Sequence, residues 1–279
     1  MSTYQKYRGF TLVELLVVIT IIGVLASLAA GGAWYASIVV RNTMTKSQLS
    51  QMDMALEAYK NEFGEYPPML NDRPAVVRHA NSRWKRANLD YDAILTTAGL
   101  EPDKPGDTPG VIERKRNERI AASLTFWLGG RYDSTKESYV GFSADLEDPF
   151  KPGGQRTETR FDFSEKNTQP FNEADANVRY FAVDKKPVIY FRSTASGDYD
   201  PTLCVCGWVD RGDAVPYMKN ATTWHGAKKY QLIHPGRDGH FGTGPGPRIT
   251  ADGTGIIYED QDNIVNFTDT ATLKGALNP

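Results

Sequence analysis

Apolar residues fill the chain from Phe10 to Val40 with little interruption, and Glu14 is the single acidic residue among them. About 20 consecutive apolar residues cross a bilayer, so this stretch is long enough to span one. Past it the pattern changes. Leu49, Met52, Leu56, Tyr59 and Phe63 recur at alternating steps of three and four, which places them on one helical face. Lys46, Gln48, Asp53, Glu57 and Lys60 occupy the other face, and Gly64 with Pro67-Pro68 ends the pattern. The spacing predicts one helix from about Phe10 to Glu62, roughly 80 Å long at 1.5 Å per residue. Residues 10–40 form its membrane half, and residues 41–63 lay the apolar stripe on a sheet. Gly23, Gly31 and Gly32 weaken helix intrinsically, and they read equally as points of close helix packing or of local melting.

The remaining residues, 64–279, read as one globular head. Tyr91–Leu100 and Arg114–Leu128 have helical periodicity, the second with Ile120, Leu124, Trp127 and Leu128 on one side. Pro102–Gly110 between them holds three prolines and two glycines and reads as a loop. From about residue 178 strands dominate. Tyr180–Val183, Val188–Phe191, Cys204–Trp208 and Tyr230–Ile233 are short and rich in β-branched and aromatic residues. Asp184-Lys185-Lys186-Pro187 suggests a hairpin turn. Helix over antiparallel sheet is an α+β architecture. Cys204 and Cys206 are the only cysteines; they read as two small buried or bridged residues of a strand, since a metal site wants more ligands than this pair supplies.

The start of the apolar run carries the most specific signal. Lys6 and Arg8 precede Gly9, and Phe10-Thr11-Leu12-Val13-Glu14 follows. A secretory signal peptide fits poorly, because the apolar segment exceeds a 7–15-residue core, contains an acid and lacks a small-residue cleavage site at its end. Gly9–Glu14 resembles the processing site of type IV prepilins and type II secretion pseudopilins. The resemblance implies that residues 1–9 are a cytoplasmic leader, that a prepilin peptidase/methyltransferase cuts between Gly9 and Phe10, and that the new amine of Phe10 is methylated. It also implies a pilin-like fold and an assembly role for Glu14. A carboxylate within a span costs about 3 kcal/mol on insertion scales, so a partner is expected, and the resemblance names the Phe10 amine of a neighbouring subunit. The alternative is a Glu14 that stays solvated near the headgroups. The positive-inside rule keeps Lys6 and Arg8 cytoplasmic and sends the head to the periplasm or cell exterior; the resemblance implies the periplasm.

A second signature, Ala55 to Pro67 ending Gly64-Glu65-Tyr66-Pro67, is similar to the helix exit of major pseudopilins, which points to the secretion branch. The insertion at about 69–175 departs from small pseudopilins. Ser123–Gly130 with Gly141-Phe142-Ser143 resembles enlarged pseudopilin-like proteins.

The best candidate ligand region is residues 234–267, with Gly236-Arg237-Asp238-Gly239 followed by Glu259-Asp260-Gln261-Asp262-Asn263-Ile264. Calcium takes six to eight oxygens from such loops, and the resemblance implies a calcium site. Asp260 and Asp262 are the first ligand candidates, then Asp238, with Glu259 and Asn263 peripheral. Asn263 stands where the family commonly has aspartate. The alternative is a solvated acidic turn held by Asx hydrogen bonds. His234 and His240 flank the Pro235-Gly236 turn as a weaker metal pair.

Composition narrows the function. A formal net charge of −2 with 24% charged residues suits a soluble head and argues against a nucleic-acid partner. No nucleophile elbow, phosphate loop, His-Glu-x-x-His or CxxC pair occurs, so the expectation is a non-enzyme. The reading is a major-pseudopilin-like filament subunit of a type II secretion system, single-pass in the inner membrane. It would assemble with copies of itself, with other pseudopilins and with the inner-membrane secretion platform into a periplasmic filament that drives protein export. The alternative is a minor pilin or a membrane-tethered surface-binding or adhesion module.

Overall fold

A computed structural model describes residues 11–277, apart from 173–174, 209, 245 and 247. The chain divides into two compact units, one ending at Thr43 and the other beginning at Met44. Helix α1 (Leu12–Phe63) is continuous over 52 residues, within two residues of the predicted span at its start and one at its end.

Among the described residues of the first unit the helix is exposed along nearly its whole length, with Ile38 and Asn42 half-buried. Leu12, Leu16, Ile22, Leu28 and Val40 are all more than half exposed. A helix apolar on every side belongs in lipid or among other apolar helices. A Cβ at Gly23, Gly31 or Gly32 would meet nothing within 4 Å, so no contact inside the chain calls for their small size.

The second unit is a head built on the predicted stripe. Leu49, Met52, Leu56 and Tyr59 are wholly buried, and Phe63 packs against the same core. Each such burial stabilises by roughly 1.5–3 kcal/mol. Leu56→Ala is therefore expected to cost about 2–5 kcal/mol once its cavity is included, read as a lower urea midpoint with an unchanged slope.

Three further helices precede the sheets: α2 (Arg73–Arg83), α3 (Tyr91–Thr97) and α4 (Pro109–Leu124), the last running into a π-helical turn at Thr125–Gly129. The sequence pattern missed α2, although its start signal is present: the Asp72 carboxylate accepts the Ala75 N–H at 3.1 Å, and a proline lies in the first turn. The expected loop Pro102–Gly110 overran by two residues, because Pro109 and Gly110 open α4. The first helical position needs no N–H, so proline fits there. Rings from the insertion form an aromatic core; Trp84 meets Phe142 edge-on at 4.9 Å and Trp127 meets His79 at 5.0 Å. His79 in turn joins the Tyr59 hydroxyl at 2.6 Å to Glu65 at 2.7 Å, and Glu65 pairs with Arg192 at 2.6 Å. The His79 hydrogen bond holds the Glu65 carboxyl down at about 2, while burial keeps the His79 imidazole below its usual value.

The strands are β1 (Tyr132–Asp133), β2 (Ser138–Tyr139), β3 (Thr168–Asn172), β4 (Asp175–Val183), β5 (Lys186–Pro187), β6 (Ile189–Arg192), β7 (Cys206–Trp208), β8 (Gly212–Ala214), β9 (Tyr217–Asn220), β10 (Thr223–Trp224), β11 (Tyr230–His234), β12 (Arg248–Ile249) and β13 (Ile264–Val265), with α5 (Leu273–Leu277) last. The architecture is α+β, but the strands form several small sheets rather than one. β13-β11-β6 and β3-β4-β5 are antiparallel, β10-β9-β12 contains a parallel pair, and β1-β2 and β7-β8 are two-stranded. Asp184 and Lys185 form the expected hairpin turn with φ of 50° and 61°, yet it joins β4 to the two-residue β5. β6 instead pairs with β11, Ile189 opposite Ile233.

Lys46 and Asp53, read as the outer helix face, in fact fix α1 to the C-terminal segment. Lys46 Nζ donates to the carbonyls of Val265 and Thr268, and Asp53 Oδ1 accepts from Tyr230 at 2.9 Å and Asn266 at 3.0 Å. Cys204 and Cys206 are buried free thiols, both pushed up to about 12 by burial. Cys206 lies on β7 and Cys204 just before it.

Candidate functional site

Two regions carry the sequence-based candidates. At the N-terminus, Gly9 and Phe10, with the cleavage between them, lie outside the described residues. Glu14 occupies the first turn of α1. Its Oε2 accepts the Thr11 N–H and the Thr11 hydroxyl, both at 2.8 Å, and its own N–H donates to Thr11 Oγ1 at 3.2 Å. This is a reciprocal capping box. The lone carboxylate of the apolar segment is thus held at the helix N-terminus, where the macrodipole favours negative charge.

The C-terminal loop separates the acids that look equivalent in sequence. Asp260 is fully buried in a short 3-10 turn (Tyr258–Asp260). Its Oδ1 pairs with Arg248 Nη1 at 2.7 Å and accepts from the Tyr217 hydroxyl at 2.8 Å, and its Oδ2 accepts the Ile257 N–H at 3.1 Å. Burial pushes its carboxyl up, against the pull of the Arg248 charge. Arg248 is itself 1% exposed and also donates to the carbonyls of Phe241 and, at 2.9 Å, Asp213. One guanidinium therefore joins a carboxylate and two backbone carbonyls, an oxygen set of the kind a hard cation would take.

Asp262 turns elsewhere. Its Oδ2 accepts the N–H groups of Arg237 at 2.7 Å and Asp238 at 2.9 Å. Asp238 Oδ1 accepts the His240 N–H at 2.8 Å, and burial together with the neighbouring Asp262 charge raises the Asp238 carboxyl. Glycine is required where these strands of the loop meet. Gly236 has φ +54°, and a Cβ there would lie 2.1 Å from the Asp262 carbonyl; at Gly242, φ +83°, it would lie 2.8 Å from Asp260 Oδ2. Asn263 is buried and donates to the Tyr217 hydroxyl at 2.8 Å, while Glu259 is half-buried at the side of the turn.

Of the calcium candidates, then, Asp238 lies beside Asp262, while Asp260 faces a cation that the chain supplies and takes the Asn263 amide at 3.4 Å. Among the described residues no three of His, Cys, Asp and Glu are placed to hold one metal ion. Two carboxylates, one already accepting two N–H groups on a single oxygen, supply only part of the six to eight oxygens of a calcium shell. The head is expected to melt within about 1 °C of the same temperature in EGTA and in millimolar Ca²⁺. A larger upward shift that Asp262→Asn removes would restore the pair as a calcium site. The histidine pair also dissolves: His234 is buried, with Nε2 3.1 Å from the Val183 carbonyl and its pKa pushed down to about 4 by burial, whereas His240 is exposed. The residue that sequence reading missed is Arg248. Its only signal was a lone cation ahead of Ile249 inside a Gly/Pro-rich loop.

Known proteins agree with the N-terminal reading. Residues 4–30 match the family model described as the prokaryotic N-terminal methylation motif. The type II secretion system core protein G of Escherichia coli K12 is 39% identical over 102 residues, covering 37% of this chain and 70% of that protein. That of Klebsiella pneumoniae is 40% identical over 98 residues, 35% of this chain and 70% of its own. That of Pseudomonas aeruginosa is 28% identical over 98 residues, 35% and 69% respectively. No solved structure matches this chain significantly. The methylation motif, the long apolar helix, the antiparallel head and these relatives together place the chain in the family of type II secretion system core protein G, the major pseudopilins.

Proposed function

We propose that the protein is a filament subunit that works by assembly and not by catalysis. A prepilin peptidase/methyltransferase cuts between Gly9 and Phe10 and methylates the Phe10 amine. Residues 10–40 then hold the subunit in the inner membrane, with Lys6 and Arg8 on the cytoplasmic side before cleavage and the head in the periplasm. Copies of the chain, with other pseudopilins and the inner-membrane platform, pack these helices into a filament whose growth drives protein export.

The observation that carries this reading is the stretch of α1 from Leu12 to Val40, apolar on all sides, exposed at every position but the half-buried Ile38, and bearing one carboxylate at its first turn. Such a surface is stable only when lipid or other apolar helices cover it, and a buried carboxylate needs a positive partner there. Intact-mass and N-terminal peptide analysis of the protein from membranes tests the reading. The expected chain starts at methylated Phe10. A chain retaining Met1, or cut beyond Val40, would overturn it.

A further inference from the structure

The enlarged part of the head holds an open cavity of about 430 Å³, within the range of small-molecule sites. Glu113, Arg114 and Asn117 of α4 line one side at helical spacing, and Phe171, Trp208 and Asp213 line the other. Its floor is bare backbone at Gly207. A methyl group there would stand 3.1 Å from Asp213 Oδ1, 3.4 Å from Asn117 Nδ2 and 3.5 Å from Glu113 Oε1. Two acceptors and a donor, two of them from α4 and one from β8, thus gather around Gly207, where no side chain stands between them.

These groups have hydrogen-bonding capacity to spare. The Asp213 carboxylate takes no hydrogen bond or ion pair from any described residue. Glu113 meets only Arg116, at 3.7 Å. Asn117 Oδ1 accepts the Gly207 N–H at 3.2 Å, which fixes the amide and leaves Nδ2 toward the opening. The Trp208 ring is held by Phe171 at 4.8 Å and by Tyr180, edge-on, at 4.8 Å, so the cavity wall is a supported aromatic surface.

The chemistry selects a ligand class. An anion would face two carboxylates. An apolar ligand would strand the three converging polar atoms, and a simple cation would meet the Asn117 and Arg114 donors. A neutral polyol satisfies the three atoms around Gly207, since a hydroxyl donates to a carboxylate and accepts from the Asn117 amide, while the C–H face of a sugar ring stacks on indole; the Arg114 guanidinium is engaged by Glu118 and Glu101. We infer that this cavity is a saccharide-binding site, a role separate from filament assembly.

The test uses the full-length protein in a detergent without a sugar headgroup. Titration calorimetry with disaccharides of glucose, mannose and N-acetylglucosamine is paired with retention on insoluble cellulose and chitin. Binding of a disaccharide marks a site for a free or terminal sugar, and retention on a polymer alone marks one that grips a chain; either supports the inference. Asp213→Asn and Trp208→Ala are each expected to weaken binding at least about tenfold. Gly207→Ala, whose methyl occupies the convergence point, should abolish binding with the melting temperature unchanged, which guards against variants that misfold. Absence of binding to every sugar, equal binding by all three variants, or preference for a tetra-arginine peptide would overturn the assignment.

Discussion

Arg248→Ala is expected to destabilise the head by about 3–5 kcal/mol, the usual cost of leaving a buried charge without its partner. For a domain of this size that is a fall in Tm on the order of 10 °C. Asp260 would keep its bonds to Tyr217 and the Ile257 amide but lose the guanidinium at 2.7 Å. The carbonyls of Phe241 and Asp213 would lose their donors as well. The pH dependence has a definite sign. Burial raises the Asp260 pKa in the folded state, and Arg248 opposes that rise. A carboxyl whose folded pKa lies above its unfolded value binds its proton more tightly when folded, so its contribution to stability improves as pH falls through that interval. Without Arg248 the interval widens, and the deficit relative to the natural protein should shrink between pH 7.5 and pH 4.5. Urea midpoints of both proteins at the two pH values measure this. A deficit of equal size at both would show that packing, not the charge on Asp260, accounts for the loss.

Glu14 is the second position where one substitution should have a complete effect. Glu14→Ala is expected to yield protein that is cut, methylated and inserted but builds no filaments. Alanine also removes the carboxylate half of the capping box, the acceptor of the Thr11 N–H and hydroxyl, so the informative variant is Glu14→Gln. Glutamine can occupy the same position of a capping box but carries no charge to meet an amine. Electron microscopy of cells overproducing the secretion apparatus, with membrane fractionation as a control, is expected to show no filaments for either variant. Normal filaments from Glu14→Gln would leave capping as the role of Glu14 and remove charge pairing from assembly.

The parts of the molecule legible in sequence are those governed by local period. The α1 span was readable because burial of Leu49, Met52, Leu56 and Tyr59 imposes helical spacing on the chain itself. Helix α2 was not, because it buries little beyond Ala75, Val76, His79 and Ala80, and a histidine in that stripe hides the pattern. The sheet pairings escaped for a related reason. Strands of two or three residues have no measurable alternation, and β12 runs parallel to β9 across more than 25 intervening residues. The acidic loop was found, but its division was not. Asp260 and Asp262 differ by two positions in sequence, and only the tertiary fold gives one to Arg248 and the other to the backbone of Arg237 and Asp238.

The bonds from Lys46 and Asp53 to Val265, Asn266 and Thr268 also bear on the order in which the head is made. They close across more than 200 residues, and β13 completes its sheet against β11 at the same place. Synthesis delivers the helix first and its clasp more than 200 residues later. Until residues 265–268 have emerged, Lys46 lacks its carbonyl acceptors and Asp53 lacks Asn266, so the head has no complete resting state to fall into early. A contact of such sequence separation is slow to find, and the emergence of that short segment becomes the event that lets the head close on its helix.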